Sequence, residues 1–332
     1  MLGGPDTPTN RSGRILMLVA SPNLALDITV RVAALIPGSV SRATATDTVA
    51  GGKGANVSRA ARALGGSPML AGFLPVRDGD SFSRLAAAEG LPLLSVPVSG
   101  VLRLATAILS DDGQVTLING RGPEIDSNSW GKYVAKIGAA AAGHRALVCS
   151  GSLPPGVPAA GYRELVELGH AAGLPVVVDA APEVLAQSLP AGPDLVSPNL
   201  SEAEGLVLGR TDEQVDERGE DIPDRAVAAA RELHALGAVR AVVTAGGSGA
   251  ALATAAGSWW FPAVPVDVVN PIGAGDSFVA GATLALIAGA GDTEVVARGM
   301  AAASASCESP LAAVLDPARA AALFRRLAPV AR

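Results

Sequence analysis

The chain has 332 residues, a formal charge of −6 and 49% hydrophobic residues, yet only 3% aromatics. That length buries one large core, or one core with a small appendage, filled by Ala, Val and Leu. The acidic balance argues against a general binder of nucleic acid or of anionic membranes.

The opening stretch, MLGGPDTPTNRSGR, is polar and rich in Pro and Gly, and residues 1–13 read as a flexible tail. RILMLVAS then reads as a buried strand. The apolar run ILMLVASPNLAL is cut by Pro22 and Asn23, is too short to span a bilayer, and lacks an export cleavage site. Cys149 and Cys307 form no CxxC pair, which suits reduced thiols and a cytoplasmic protein.

Residues 26–51 alternate like strands without an intervening helix, and so do residues 101–119, where Asp112-Gly113 marks a hairpin turn. The two stretches can pair into a small separate sheet or extend the main one. Between and after them, short β-branched runs (RALVCSGS, PVVVDAA, DLVSPN, RAVVTAG) alternate with helical stretches such as AAGYRELVELGHAAG and DIPDRAVAAARELHALG. That alternation predicts an α/β, doubly wound, mostly parallel sheet with helices on both faces, and ligands at the carboxyl ends of its strands.

Four stretches carry candidate chemistry. AGGKGANVSRAARALGG, residues 50–66, is a glycine-rich loop opening a helix. Lys53, one of three lysines, stands there among glycines, whereas Lys132 and Lys136 lie one turn apart as on a solvated face. A lone ammonium beside helix N–H groups suits an anionic or polyhydroxyl ligand; otherwise it is a solvated loop lysine. In SPNLSEAEGL, Asn199 and Glu202 either organise Mg²⁺ through its waters or form a capping box. VVTAGGSGAAL, residues 242–252, runs a strand into a glycine turn that lies against a nucleotide or is a tight hairpin. In NPIGAGDSFVAGATLALIAGA, Asp276 follows Gly273, Ala274 and Gly275 at the mouth of an apolar helix. A carboxylate in an anion cradle needs a reason: it is a proton acceptor for phosphoryl transfer, or simply a helix cap. His144, His170 and His234 show no metal spacing and read as surface residues, and no GxxxxGK[ST] run or strand-borne GxGxxG occurs.

Together these stretches resemble the ribokinase-like (PfkB) carbohydrate kinases over residues 14–328. GGKGANVSRAARALG and the GAGD turn match the two ends of the pattern, and SGSLPPGVP (150–158) and PNLSE (198–202) match its middle. SPNLALDIT, NVSRA and NPIGAGDS are similar to the phosphosugar branch, with its 1-phosphofructokinases, tagatose-6-phosphate kinases and minor 6-phosphofructokinases. The resemblance implies an ATP- and Mg²⁺-dependent kinase with Asp276 as base and the N–H groups of Gly273–Gly275 stabilising the moving charge. It implies that Asp27, Gly52, Lys53 and Asn56 hold the sugar, that Arg103 with Ser152 grips a phosphate, and that Thr244, Gly246 and Gly249 flank the nucleotide. Asn199 and Glu202 would organise Mg²⁺. Segments 26–51 and 101–119 would form a lid that closes over the sugar and joins two copies into a homodimer.

Some residues depart from the branch. Leu102-Arg103-Leu104-Ala105 stands for its usual Thr-Arg-x-Asn, Ser197 for a lysine and Ser41 for an asparagine. The implied reaction is phosphorylation of fructose 1-phosphate to the 1,6-bisphosphate. Tagatose 6-phosphate, fructose 6-phosphate, a free sugar or nucleoside, and a non-catalytic sugar-binding regulator are the alternatives.

Overall fold

The computed structural model describes residues 16–208 and 219–332; the expected tail at 1–13 lies outside them. Fourteen strands are seen among those residues: β1 (Leu16–Ala20), β2 (Ala25–Val32), β3 (Ala45–Gly51), β4 (Ser67–Pro75), β5 (Leu93–Val98), β6 (Arg103–Ser110), β7 (Val115–Asn119), β8 (Leu147–Ser150), β9 (Val176–Asp179), β10 (Leu195–Val196), β11 (Ala241–Ala245), β12 (Gly249–Thr254), β13 (Gly257–Pro262) and β14 (Val330–Ala331). The helices are α1 (Lys53–Ala63), α2 (Gly79–Ala88), α3 (Ser127–Ala141), α4 (Gly161–Ala171), α5 (Pro182–Ser188), α6 (Leu200–Leu208), α7 (Ile222–Ala235), α8 (Ala274–Ile287), α9 (Asp292–Cys307) and α10 (Pro317–Phe324).

Ten strands form the main sheet, in the order β14-β13-β12-β11-β10-β9-β8-β1-β4-β5. From β11 to β5 the pairs are parallel, while β12, β13 and β14 add antiparallel strands at one edge. Strand β14 lies past residue 328, the expected end of the domain.

The period of two along each strand divides the core between the sheet's faces. On β1, Met17 and Val19 join Val57, Phe278 and Val295, from α1, α8 and α9. Leu18 and Ala20 join Ile137, Leu165 and Leu233, from α3, α4 and α7. Because both faces are covered, the parallel strands read as unbroken apolar runs. Helix α8 is apolar on nearly every side, and its residues from Asp276 to Ala285 are buried. A helix apolar all round belongs inside a protein, and that placement takes its first turn inside with it.

The remaining strands make a separate four-stranded sheet, β3-β2-β6-β7, so 26–51 and 101–119 pair with each other rather than extending the main sheet. Strand β2 runs parallel to β6, with Ala25 opposite Arg103 and Asp27 opposite Ala105, which puts Asp27 and Arg103 on one face. Asp112-Gly113 does turn the β6–β7 hairpin: Asp112 accepts from the Gln114 amide at 3.1 Å, and Gly113 has φ 83°. Strand β7 is exposed throughout.

The glycine turn at 246–249 is a tight hairpin between β11 and β12. Gly249 has φ 141°, and a Cβ there would run into the Phe261 carbonyl. Gly249→Ala is therefore expected to destabilise the fold by about 2–4 kcal/mol, measured by urea unfolding; a variant as stable as wild type would refute the clash.

Candidate active site

The carboxyl ends of β1, β8 and β9 and the start of α6 open into one cleft, lined by Ser21, Asn23, Lys53, Arg103, Gly151, Ser152, Ala181 and Glu202. Parallel strands end there with their connections diverging to either face, which leaves room for a ligand. The small sheet contributes Arg103 to the wall.

Asp276 lies in the first turn of α8 but does not cap it. The N-cap is Gly273, at φ 81°, and no side chain bonds the helix's free N–H groups. The capping alternative is thus set aside. The Asp276 carboxyl is 6% exposed and accepts from Asn56 Nδ2 at 2.8 Å. Burial pushes its pKa up to about 7, a rise opposed by the Lys53 ammonium and the Asn56 bond and reinforced by Asp179. A carboxyl poised near neutrality, at the positive end of a helix, is suited to taking a proton at pH 7.

Lys53 begins α1, directly after Gly52, whose φ of 88° turns the chain into the helix. It is not the unpaired loop lysine that its glycine neighbours suggested. Its Nζ donates to both oxygens of Asp179 at 3.2 Å, with 41% of the side chain exposed and Asp179 buried. That carboxylate, more than any other group, holds the ammonium above its ordinary pKa. Asp27 accepts from the Gly52 N–H at 3.2 Å and lies so close to Gly51 that no Cβ would fit. Burial raises its pKa, and the Gly52 bond opposes the rise.

Ser152 Oγ accepts from Arg103 Nη1 and from Asn23 Nδ2, both at 3.0 Å. With both lone pairs engaged, its own O–H is left to donate to an acceptor in the cleft. Arg103 Nε is buried and unbonded, as is Asn23 Oδ1. An arginine fork with a free, desolvated N–H is a natural partner for a phosphate oxygen.

Asn199 and Glu202 make the capping box: Glu202 Oε2 accepts from the Asn199 N–H at 2.9 Å and Asn199 Oδ1 from the Glu202 N–H at 2.8 Å. Glu202 nevertheless reaches the cleft wall, and burial raises its pKa, with Lys53 opposing. The structure brings Asp276, Asn56, Lys53, Asp27, Arg103, Ser152 and Glu202 into one charged neighbourhood. Thr244 is one strand over, bridged to Asn199, and Gly246 and Gly249 form the hairpin beyond; none of the three lines the cleft.

Two residues of the site were missed. Asp179 is an acid closing the apolar strand VVVD, a signal available in the sequence because strand ends face the ligand in this architecture. Asn23 looked like a strand breaker, and nothing local says that it meets Ser152, 129 positions away. Among the described residues no helix is long and apolar enough to cross a membrane, and no three His, Cys, Asp or Glu side chains cluster to hold a metal directly. Of the histidines, His170 is exposed and bonds Asp194, while His144 and His234 are half-buried against carbonyls.

The profile of the pfkB family carbohydrate kinases matches residues 20–319. A 1-phosphofructokinase of Haloferax volcanii is 33% identical over 290 residues, 87% of this chain and 90% of the relative. A 1-phosphofructokinase of Escherichia coli K12 is 28% identical over 291 residues, with the same coverage. Among solved structures, phosphofructokinase-2 from Escherichia coli in complex with fructose-6-phosphate superposes with a TM-score of 0.81 at 26% identity, over 94% of this chain and 98% of that one.

The buried Asp276 carboxyl makes stability depend on pH. At pH values well below 3.8 the folded and unfolded chains both carry the neutral acid. As pH climbs to about 7 the unfolded chain releases a proton that the folded chain keeps, so stability falls; above 7 the loss is complete. It amounts to on the order of 4 kcal/mol. Asp276→Asn is expected to gain stability relative to wild type on going from pH 3, where the aspartate is neutral in both states, to pH 8, by urea unfolding; an equal difference at both would contradict the buried charge.

Proposed function

The chain belongs to the pfkB family of carbohydrate kinases, and from that premise we propose that it phosphorylates a sugar phosphate with ATP, fructose 1-phosphate first among the candidates. The observation that carries the chemistry is the buried Asp276 carboxyl with its pKa near 7, in the field of Lys53, which lines the cleft that also holds an arginine fork. The choice of sugar is supported by the similarity to two 1-phosphofructokinases. Fructose 6-phosphate is the second reading, favoured by the likeness to the phosphofructokinase-2 complex.

In this reading Arg103 and the Ser152 hydroxyl hold the phosphate already on the substrate, and Asp27 and Asn56 orient the sugar. The acceptor oxygen attacks the γ-phosphorus of ATP in line. The new O–P bond forms as the bond to the β,γ-bridging oxygen breaks, ADP leaves, and the hydroxyl proton passes to the Asp276 carboxylate. The N–H groups of Gly273 and Gly275 would face the charge that develops on the transferred group, whereas that of Ala274 already donates to the Pro271 carbonyl at 3.2 Å. Thr244, Gly246 and Gly249 flank the nucleotide from β11 and its hairpin.

Mg²⁺ fits this site through water. Glu202 brings a desolvated carboxyl to the cleft wall, but one of its oxygens and the Asn199 amide oxygen are committed to the capping box. These two residues would hold the ion's hydration shell, and the ion would neutralise charge on the ATP phosphates. The small sheet acts as the lid, which excludes water that would otherwise hydrolyse ATP. Its exposed Leu104 and Ile118 on one face, and Val115 and Leu117 on the other, supply the apolar side chains offered to a second copy in a homodimer.

ADP release measured with Mg-ATP across phosphorylated and free sugars tests this reading. Turnover is expected with a ketose phosphate, with the acid limb of kcat/KM near pH 7, and Asp276→Asn is expected to lower kcat by about 10²–10⁴-fold. Arg103→Ala should raise KM for the phosphosugar by about 10–100-fold with little change in kcat. Turnover with free sugars alone, or an indifferent Arg103→Ala, would sink the phosphosugar assignment. For the dimer, Leu117→Glu with Ile118→Glu should give monomers by sedimentation where wild type gives dimers; a monomeric wild type would end that part.

A further inference from the structure

The group that bonds Asp276 has two faces. The Asn56 amide can present either its NH₂ or its oxygen, and only the NH₂ suits a carboxylate. What decides between them lies one turn along α1. Arg59 Nη1 donates to Asn56 Oδ1 at 2.7 Å, and a guanidinium has donors only, so the amide oxygen must face Arg59 and the NH₂ must face Asp276.

Arg59 is itself held on several sides. Nε donates to Glu89 Oε2 at 2.7 Å, and Nη2 donates to the Ala50 carbonyl at 2.8 Å and pairs with the same glutamate. Nη1 also reaches the Ala312 carbonyl at 3.4 Å. Glu89, which ends α2, accepts from the Ala50 N–H through its other oxygen at 3.3 Å. With side chains 14% and 24% exposed, the pair is largely withdrawn from water, and neither member touches the cleft lining. The chain Glu89–Arg59–Asn56–Asp276 thus runs from α2 through α1 to α8, with the direction of each bond along it fixed.

We propose that Arg59 is a positioning residue for phosphoryl transfer: it locks the Asn56 amide so that the amide donates to Asp276, keeping that carboxyl aimed and able to ionise. The inference rests on the reading of Asp276 as base. The charged groups that face Asp276 are Lys53 from α1, which favours ionisation, and Asp179 from β9 and Asp27 from β2, which oppose it. The Asn56 bond sides with Lys53. Without Arg59 the amide is free to turn its oxygen to the protonated carboxyl and accept its O–H, so that the neutral acid gains a partner that Arg59 otherwise denies it and ionisation becomes harder.

The test uses Arg59→Met combined with Glu89→Gln, so that no carboxylate is stranded. The Asp276 carboxyl is titrated by ¹³C NMR in the free protein, its resonance identified by its loss in Asp276→Asn. The kcat/KM profile is recorded alongside. Both the titration midpoint and the acid limb should rise by about one pH unit, and kcat/KM should return to within a few-fold of wild type at pH 9. Glu89→Gln alone, which loosens the anchor while leaving Arg59 in place, should move both in the same direction by less, and it keeps the test open if the double variant does not fold. An unmoved midpoint, or a loss of kcat/KM by one factor at every pH, would overturn the lock and leave Arg59 a purely structural residue. Full turnover by Asp276→Asn would overturn the base reading, and the inference with it; an inactive Asp276→Asn with an unmoved midpoint overturns the lock alone.

Discussion

One constraint organises the site: a carboxyl group is carried into the apolar interior by the first turn of α8. Taking an ionisable acid out of water is costly unless neighbours compensate. The neighbours of Asp276 do so incompletely, with one amide bond and one nearby ammonium against two other acids. The group is left near its balance point, where a small change in its surroundings decides its charge. A more thoroughly compensated aspartate would stay ionised and make a weak base, and a less compensated one would stay protonated.

The charges around it are arranged in pairs. Lys53 is matched by Asp179, and Arg59 by Glu89. Lys53 and Arg59 therefore each enter the interior with a counter-charge, which reduces the desolvation cost, whereas Arg103 makes no ion pair among the described residues. The two pairs differ in exposure. Lys53 is the more open and lines the cleft, where an incoming anion can compete with Asp179 for it, whereas Arg59 is enclosed and has no ligand to answer to.

The architecture was legible because its signals are local. Alternation of β-branched runs with Ala-rich helices specifies a parallel sheet; the strand-like stretches without helices allowed either a second sheet or an extension of the first, and their pairing with each other decides for the second sheet. Glycines before an apolar helix mark its first turn. The pairs that tune the site were not legible, because they are long-range: Lys53 and Asp179 are 126 positions apart, and Asn56 and Asp276 are 220. Local reading also offered the wrong neighbours for Lys53, since the glycines around it describe only the backbone. The Asn199–Glu202 pattern behaved in the opposite way, because its capping box is a contact between near neighbours and the structure makes it. Asn56 and Arg59 lie three positions apart on a helix, so their contact was readable; its purpose was not, because that depends on what stands across from α1.

The main sheet ends in strands that are poor templates. At one edge, β14 offers only two residues for pairing; at the other, β5 carries Pro97, which has no N–H to give. Short edges and edge prolines are the devices by which sheets resist adding further strands from other chains. Between them lies β13, with Trp259 and Trp260 side by side, a segment that would be adhesive if it were the outermost strand. The sheet is thereby finished on both sides, a geometry that favours colloidal stability at the high concentrations of a crowded solution.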